Sequence, residues 1–254
     1  MENNHPIFTT PLAHRGLHNE LYDENSIAAF KNAVDHNYGI ELDVHLLTDG
    51  ELVVFHDNNL KRIVGVDKEV DSLTSSDLND YLLPKTKTPL PLLKDVLELV
   101  DGKVPILIEL KIENYFNKDF PRILLELLDT YEYKDTIALQ SFNPFAVKWL
   151  RKNQTYPYPL GQLGSDILPG QSKFTHFMFR NLYILKISKP NFLNYEVNFI
   201  NKKKIQKYRK KRPLITWTID NPEKLEIARE QADNIIFESI EAHLEEEKTN
   251  ETKL

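Results

Sequence analysis

The chain of 254 residues contains no cysteine, only two methionines and two tryptophans, and no long apolar run. Without cysteine there is no thiol nucleophile, no cysteine-based zinc site and no disulfide. A membrane-spanning helix needs an apolar run of about 18 residues or more. The opening segment, MENNHP, lacks the basic and apolar parts of a secretory signal. We therefore expect a cytoplasmic protein that is neither a thiol enzyme nor a membrane-spanning one.

The chain also has fewer basic than acidic residues. It contains 32 Lys and Arg and 38 Asp and Glu, which gives a net charge of -6. This balance argues against nucleic acid as a partner of the whole chain. One local exception has eight basic residues between 202 and 212. Such a run is typical of a solvated helix face, and the sharper hypothesis is a dock for anionic lipid. Together with the apolar stretch 174–187, itself typical of a core helix or subunit contact, it would make a peripheral membrane patch. The oligomeric state stays open.

Short apolar segments alternate with amphipathic ones along most of the chain. The predicted strands cover 7–13, 39–45, 52–55, 104–110, 136–140, 159–163, 192–197, 213–218 and 234–237, and the predicted helices 27–36, 75–81, 92–100, 119–131, 144–152, 174–187, 201–211 and 222–230. Such alternation favours a parallel sheet with helices outside it. About eight units in this length predict one α/β domain over 1–254, a TIM (β/α)8-type barrel. Residues 57–89 are polar and irregular and form a small insertion after the second strand. A final helix follows 237, and residues 248–254 form a frayed tail.

Charged side chains stand at the ends of the predicted strands, where the active sites of such barrels lie. These residues are His14, Arg15, Glu41, Asp43, His56, Glu109 and Lys111. Residues two apart on a strand share a face, so Glu41 projects with Asp43 and Glu109 with Lys111. Charges on apolar strands are costly unless they are paired or bound to a metal. The pattern therefore predicts a functional cluster at the carboxyl ends of the first three barrel strands.

The residue types in this cluster suit phosphoryl transfer. Three converging carboxylates offer oxygen ligands to one hard divalent cation, Mg²⁺ or Ca²⁺, with Mn²⁺ as a further possibility. Two histidines suit general acid–base catalysis near neutral pH. Arg15 and Lys111 supply positive charge for a phosphate, and Arg15 can bind one with two parallel hydrogen bonds.

These residues sit in segments that resemble the glycerophosphodiester phosphodiesterase family. The order and spacing of the segments agree from about residue 11 to 238, and each segment alone is a weak signal. The matching segments are His14-Arg15-Gly16, Glu24-Asn25-Ser26, Glu41-Leu42-Asp43-Val44, Val54-Phe55-His56-Asp57, Leu60-Lys61-Arg62, Ile108-Glu109-Leu110-Lys111, Ser141-Phe142 and Thr216-Trp217-Thr218.

The resemblance implies a TIM barrel that releases sn-glycerol 3-phosphate and an alcohol from a small glycerophosphodiester. It implies that a divalent metal binds Glu41, Asp43 and Glu109. It further implies an acid–base pair, His14 and His56, and phosphate contacts from Arg15 and Lys111, so that Lys111 counts among both the catalytic and the substrate-binding groups. Trp217, on the seventh barrel strand, would pack against the glycerol moiety.

The chain departs from the family pattern at two places. Asp23-Glu24-Asn25-Ser26 stands where the family usually has Pro-Glu-Asn-Thr, and Phe237-Glu238 stands where the last strand often ends in Thr-Asp. The second departure puts a contact of the late barrel in doubt. We interpret Glu24 and Asn25 as residues that brace the first loop.

Two alternatives accompany this hypothesis. One is an enzyme of the same fold that acts like a phospholipase D on a lysophospholipid or another intact lipid. The other is a non-catalytic barrel that binds phosphate ligands. The complete set of carboxylates, histidines and lysine disfavours the second.

Overall fold

The structure, a computed structural model, describes residues 4–112, 117–240 and 242. Eight parallel strands close into a barrel, because the first strand pairs with both the second and the last. The predicted TIM-type barrel is thus confirmed. The strands are β1 (Leu12–His14), β2 (Gly39–Leu46), β3 (Leu52–Val54), β4 (Ile106–Leu110), β5 (Ile137–Ser141), β6 (Leu160–Gly164), β7 (Phe192–Glu196), β8 (Leu214–Ile219) and β9 (Asn234–Phe237).

The strand β2 is longer than its neighbours and projects beyond the barrel. Its first half pairs with β1 and β4, and its last residues pair with the antiparallel β3 through the turn at Asp49-Gly50. The predicted insertion, 57–89, follows β3. It carries the short helix α2 (Lys61–Val64) and its own small apolar cluster. The hairpin and the insertion therefore place His56 beside the carboxyl end of β2.

The helices form the outer layer, and a continuous apolar core separates them from the sheet. Further helices in the described residues are α1 (Ile27–Asp35), α3 (Leu93–Val100), α4 (Asp119–Thr130), α5 (Pro144–Asn153), α6 (Lys173–Arg180), α7 (Leu185–Ser188), α8 (Lys203–Arg209) and α9 (Pro222–Gln231). Side chains cap the first turn of several helices. Asn143 caps α5 and Asn221 caps α9, and in both helices a proline occupies the first helical position.

The predicted single helix over 174–187 was wrong, because the chain forms α6 and α7 with a break between them. Leu182 has a left-handed φ of 56° at this break. The Tyr183 amide donates to the Met178 carbonyl (2.9 Å) and closes the end of α6. Two short helices result.

The predicted first strand over 7–13 was also wrong in its first half. Pro6–Phe8 is a 3-10 turn in which the Ile7 amide donates to the His5 ring, so that it is unavailable to a strand ladder. The turn inserts Ile7 and Phe8 into the amino-terminal end of the barrel, where they pack with interior residues such as Leu107 and Phe192. This apolar layer closes the bottom of the barrel and leaves the carboxyl end open for the polar side chains.

Within the described part of the chain, no helix is both long and apolar enough to cross a bilayer. The predicted tail over 248–254 lies outside the described residues. Of the predicted helix after 237, only residues 238–240 and 242 are described.

Candidate active site

Three carboxylates meet inside the carboxyl end of the barrel. Glu41 and Asp43 project from β2, and Glu109 projects from β4, whose register sets it directly opposite Asp43. One oxygen of each lies within 4.8 Å of the others, and all three side chains are buried. Three oxygen ligands at this separation fit a hard divalent cation.

The electrostatics of the three carboxylates also fit a cation. Burial, together with repulsion from Asp43 and Glu109, raises the pKa of Glu41 well above its usual range. Burial likewise raises the pKa of Glu109. Burial opposes ionisation of Asp43 too, but the charges of Lys111, His56 and Arg15 outweigh it and lower the pKa of Asp43. The cluster therefore holds more negative charge than its neighbours neutralise, and a bound cation would relieve that imbalance.

Lys111 lies among the carboxylates and provides part of their counter-charge. Its Nζ is 2.9 Å from both Asp43 Oδ1 and Glu109 Oε1. Burial would lower the pKa of Lys111, but these two carboxylates raise it above its usual range, so the ammonium stays charged. The predicted pairing of Glu109 with Lys111 on one face is thus present, and it coexists with the convergence on Asp43.

A buried amide layer supports the carboxylates from below. Asn194 Nδ2 on β7 donates to Gln140 Oε1 (2.7 Å), and Gln140 Nε2 on β5 reaches Glu41 Oε1 (3.4 Å). Both amides lie inside the barrel, between the apolar bottom layer and the site. They orient Glu41 without adding charge.

The first histidine, His14, is hydrogen-bonded to Glu238, the residue that follows the last barrel strand, β9. His14 Nδ1 donates to Glu238 Oε2 (2.7 Å), and His18 Nε2 lies 3.7 Å from the same oxygen. Hydrogen bonds from His14 and His18 lower the pKa of Glu238, which therefore stays ionised. With Nδ1 engaged, the Nε2 of His14 is the ring nitrogen left for a substrate.

The second histidine is held in the same way by its neighbour. His56 Nδ1 donates to Asp57 Oδ1 (2.6 Å), and Arg62 Nε and Nη2 bind the Asp57 carboxylate (2.6 and 3.0 Å). Arg62 also binds both oxygens of Glu24. Burial lowers the pKa of His56, which favours its neutral form at pH 7. A chain of ion pairs thus runs from the insertion to the first loop.

Arg15 directs its guanidinium at the site from a strained position after β1. Its φ is 56°, and the following Gly16 has a φ of 81° and packs so closely on α1 that a Cβ would lie 2.9 Å from Phe30. Arg15 Nη1 binds Glu24 Oε1 (2.7 Å), and its Nε is 3.6 Å from Asp43 Oδ2. Asn25 Nδ2 donates to the same oxygen, Asp43 Oδ2 (3.0 Å). Asn25 therefore contacts a carboxylate of the cluster directly, which goes beyond its predicted bracing role, whereas Glu24 braces Arg15 and Arg62.

All eight predicted site residues line one small cavity of about 190 Å³ at the barrel mouth, together with Phe142 and Gln140. Trp217 enters it from β8, where a register shift interrupts the pairing with β9, and its ring meets Phe142 edge-on (5.8 Å). Two buried donors in the cavity, Trp217 Nε1 and Arg15 Nε, have no hydrogen-bond acceptor among the described residues. A ligand with acceptor oxygens would satisfy both.

The same segments that carry this site match a known family. Residues 14–241 fit the profile of the Glycerophosphoryl diester phosphodiesterase family. The chain belongs to this family. A glycerophosphodiester phosphodiesterase of Bacillus altitudinis is 32 % identical over 145 residues, 53 % of this chain and 58 % of that protein. A lysophospholipase D of Rattus norvegicus is 38 % identical over 116 residues, 41 % of this chain and 36 % of that protein.

Solved structures of glycerophosphodiester phosphodiesterases share the barrel. That of Thermotoga maritima is 27 % identical, with a TM-score of 0.67 over 89 % of this chain and 92 % of its own. An Oleispira antarctica phosphodiesterase, solved in complex with the product sn-glycerol-3-phosphate, is 19 % identical, with a TM-score of 0.75 over 89 % of this chain and 91 % of its own. At that identity the second likeness shows the fold alone.

Sequence reasoning about this glycerophosphoryl diester phosphodiesterase family member did not assign roles to three residues at the site. Glu238 and Asp57 each hold a histidine, and Arg62 holds Asp57. Glu238 follows the apolar strand β9. The rule that charged residues at the ends of apolar strands belong to the site, which selected Glu41, would also have selected Glu238. Asp57 and Arg62 lay within the matching segments, but no spacing rule connects a loop carboxylate with an arginine five residues later.

Proposed function

We propose that this protein hydrolyses glycerophosphodiesters to sn-glycerol 3-phosphate and an alcohol with the help of one divalent metal ion. The observation that carries the proposal is the shared cavity: two carboxylate-held histidines face three buried carboxylates and two buried cations across about 190 Å³. Membership of the family supports the same reaction.

Glu41, Asp43 and Glu109 would hold the metal. Bound there, a divalent ion supplies Lewis-acid stabilisation of the negative charge on the phosphate oxygens. Arg15 and Lys111 border the same space and would bind the phosphate, with Arg15 Nε as the free donor. Trp217 and Phe142 provide an apolar wall for the glycerol carbons.

The two histidines would divide the proton transfers. Burial keeps His56 neutral, which suits it to take the proton from the attacking oxygen. That oxygen is either a water or the glycerol 2-hydroxyl, and in the second case water then opens the cyclic phosphate. In its doubly protonated form His14, whose Nδ1–H donates to the ionised Glu238, would give its Nε2 proton to the leaving alcohol oxygen. Asp57 orients the His56 ring as Glu238 orients that of His14, which leaves the Nε2 of each ring for the substrate.

An assay of sn-glycerol 3-phosphate release from glycerophosphocholine and glycerophosphoethanolamine tests the proposal. Protein treated with EDTA should be inactive, and Mg²⁺, Ca²⁺ or Mn²⁺ should restore the activity. Equal activity with and without metal would contradict the metal role. Absence of activity with every metal and both substrates would refute the proposed reaction on these small diesters.

One observation favours a second candidate function, hydrolysis of a lysophospholipid to lysophosphatidate and an alcohol. An apolar groove of about 720 Å³ continues from Phe142 and Trp217 over Pro144, Ile167 and Phe179, and no lining residue in the described part of the chain is charged. If Trp217 packs against the glycerol, this groove lies where a single acyl chain on that glycerol would go. The rat relative is itself named a lysophospholipase D.

Comparison of choline release from glycerophosphocholine and from lysophosphatidylcholine separates the two functions. Phe145→Glu places a charge in the groove at a half-exposed position that does not line the catalytic cavity. It should lower kcat/KM for the lysolipid by about tenfold or more and leave the small substrate unaffected. Equal loss on both substrates would exclude the groove as the acyl site.

A further inference from the structure

The charge of the chain is distributed very unevenly. Residues 167–219 contain twelve Lys and Arg and a single acid, Glu196, so this stretch carries +11 and the rest of the chain -17. It spans α6, α7, β7, α8 and β8, which are consecutive elements of one side of the barrel. A chain that is acidic overall thus has one strongly basic side, which is the arrangement expected of a protein that meets a negative surface.

The helix α6, on this basic side, exposes aromatic rings to solvent. Phe174 is 70 % exposed and Phe177 52 %, whereas the opposite side of the helix buries Phe179. Ile167 in the preceding loop is 62 % exposed, and the exposed Tyr183 packs against Phe177 (5.6 Å between ring centroids). A short helix that is apolar on both sides belongs in a core, yet the described residues cover only one side of α6.

Basic side chains surround these rings. Lys173 at the start of α6 and Lys186 in α7 are exposed, and Lys186 Nζ lies 5.3 Å from the centre of the Tyr183 ring. Arg180 is held by the buried Asp166, which Lys202 also binds, and Lys204 reaches Asn181 at the end of α6 (3.4 Å). Positive charges from two separate segments therefore converge on α6, with one carboxylate among them.

The exposed rings stand at the opening of the apolar groove that leads to the catalytic cavity. Thr175 and Phe179 on the inner side of α6 line this groove, and Ile167 and the half-exposed Phe145 lie on its rim. Of the large apolar side chains that are exposed in the described residues, Phe145, Ile167, Phe174, Phe177 and Tyr183 are in this one region. The apolar surface is thus continuous from α6 to the groove.

We propose that the α6 face, defined as Ile167, Lys173, Phe174, Phe177, Tyr183 and Lys186, docks this protein onto the surface of an anionic lipid bilayer. The rings enter the headgroup region, and the surrounding lysines and Arg180 contact lipid phosphates. Charge complementarity selects this occupant over a symmetric dimer, because two copies related by a twofold axis would set one basic face against another. Docking also turns the groove opening toward the membrane. The proposal does not depend on which phosphodiester the enzyme cleaves.

Vesicle sedimentation tests the docking at low salt without any activity measurement. The protein should sediment with vesicles of phosphatidylcholine and phosphatidylglycerol in equal parts, and stay in the supernatant with pure phosphatidylcholine. Phe174→Ser combined with Phe177→Ser should lower the partition coefficient about tenfold or more. Lys173→Gln and Lys186→Gln should each lower it about fivefold. All four side chains are exposed, so these variants should fold.

Matched controls lie outside the α6 face. Lys31→Gln and Lys94→Gln, on α1 and α3, each change the net charge by the same amount as Lys173→Gln or Lys186→Gln. Ile227→Ser removes an exposed apolar side chain from α9. None of these three variants should change binding. Equal binding by the α6 variants and the controls would overturn the proposal, as would failure of the wild type to bind anionic vesicles. A third outcome would assign the face to a contact between copies of the chain. In that case the wild type does not bind vesicles, and light scattering gives a lower molar mass only for the Phe174→Ser, Phe177→Ser variant.

Discussion

His14 and Glu238 are 224 positions apart in the chain, and their side chains meet at 2.7 Å where the barrel closes. The contact exists because β1 pairs with β9, which brings the last residue of β1 and the residue after β9 to the same edge. Glu238 fixes the tautomer of His14, as Asp57 fixes that of His56. The site thus consists of two carboxylate–histidine pairs on either side of an acidic cluster.

Glu238→Gln should lower kcat for glycerophosphocholine by about a hundredfold, the lower end of what general acid–base catalysis contributes. The amide cannot stabilise a protonated His14, and its NH2 group can face the ring in the wrong orientation. KM should change little, because Glu238 does not border the phosphate-binding groups. Steady-state kinetics check this prediction, with the exposed Glu223→Gln as the control. An unchanged kcat would remove His14 from proton transfer.

Arg62→Gln should lower kcat about tenfold, which corresponds to about 1.4 kcal/mol in the barrier. Arg62 binds Asp57 and Glu24 together, so its loss frees the carboxylate that orients His56. Its neighbour Lys61 is exposed and pairs with Asp67, so Lys61→Gln serves as the control. The double variant Asp57→Asn with Arg62→Gln should have a kcat only slightly lower than that of Asp57→Asn alone. Fully additive losses would show that Arg62 does not act through Asp57.

The carboxylate cluster was predictable because a strand imposes a period of two on its side chains. Glu41 and Asp43 on one apolar strand had to share a face, and the parallel order of strands brought Glu109 to the same end. The partners of the histidines depend on where the barrel closes and on the path of the insertion, which no local pattern encodes. The strand predicted at Ile7 was wrong for a similar reason. An apolar residue after Pro6 is compatible with a strand and equally with a turn that closes the end of a barrel.

Removal of one buried carboxylate should stabilise the metal-free protein. In EDTA, Glu41→Gln should raise the free energy of unfolding by about 1–2 kcal/mol, because it relieves the repulsion from Asp43 and Glu109. The same change should abolish the stabilisation that Mg²⁺, Ca²⁺ or Mn²⁺ gives the wild type. Denaturant unfolding with and without metal measures both effects.

Glu24→Gln provides the matched control for that experiment. It loses ion pairs with Arg15 and Arg62, so the free energy of unfolding in EDTA should fall, but stabilisation by metal should persist. If Glu41→Gln destabilises the metal-free protein, or if it keeps the full response to metal, the three carboxylates are not a metal site.

His45 should make stability depend on pH. Burial lowers its pKa from 6.5 to about 4 in the folded protein. Between these values the unfolded chain binds the proton more tightly, so the stabilisation is complete above pH 6.5 and is lost as the pH falls toward 4. The loss amounts to about 3 kcal/mol. The difference in unfolding free energy between wild type and His45→Gln, measured in EDTA, should shrink by that amount; a constant difference would contradict the lowered pKa.

The most direct measurement is the rate of sn-glycerol 3-phosphate release from glycerophosphocholine by wild type, His14→Ala and Glu41→Ala, each in EDTA and with added Mg²⁺, Ca²⁺ or Mn²⁺. We expect release by the wild type only with metal, and loss of at least a hundredfold in both variants with every metal. Metal-independent release, or a Glu41→Ala variant as active as the wild type, would contradict a metal-dependent phosphodiesterase site at the mouth of this barrel.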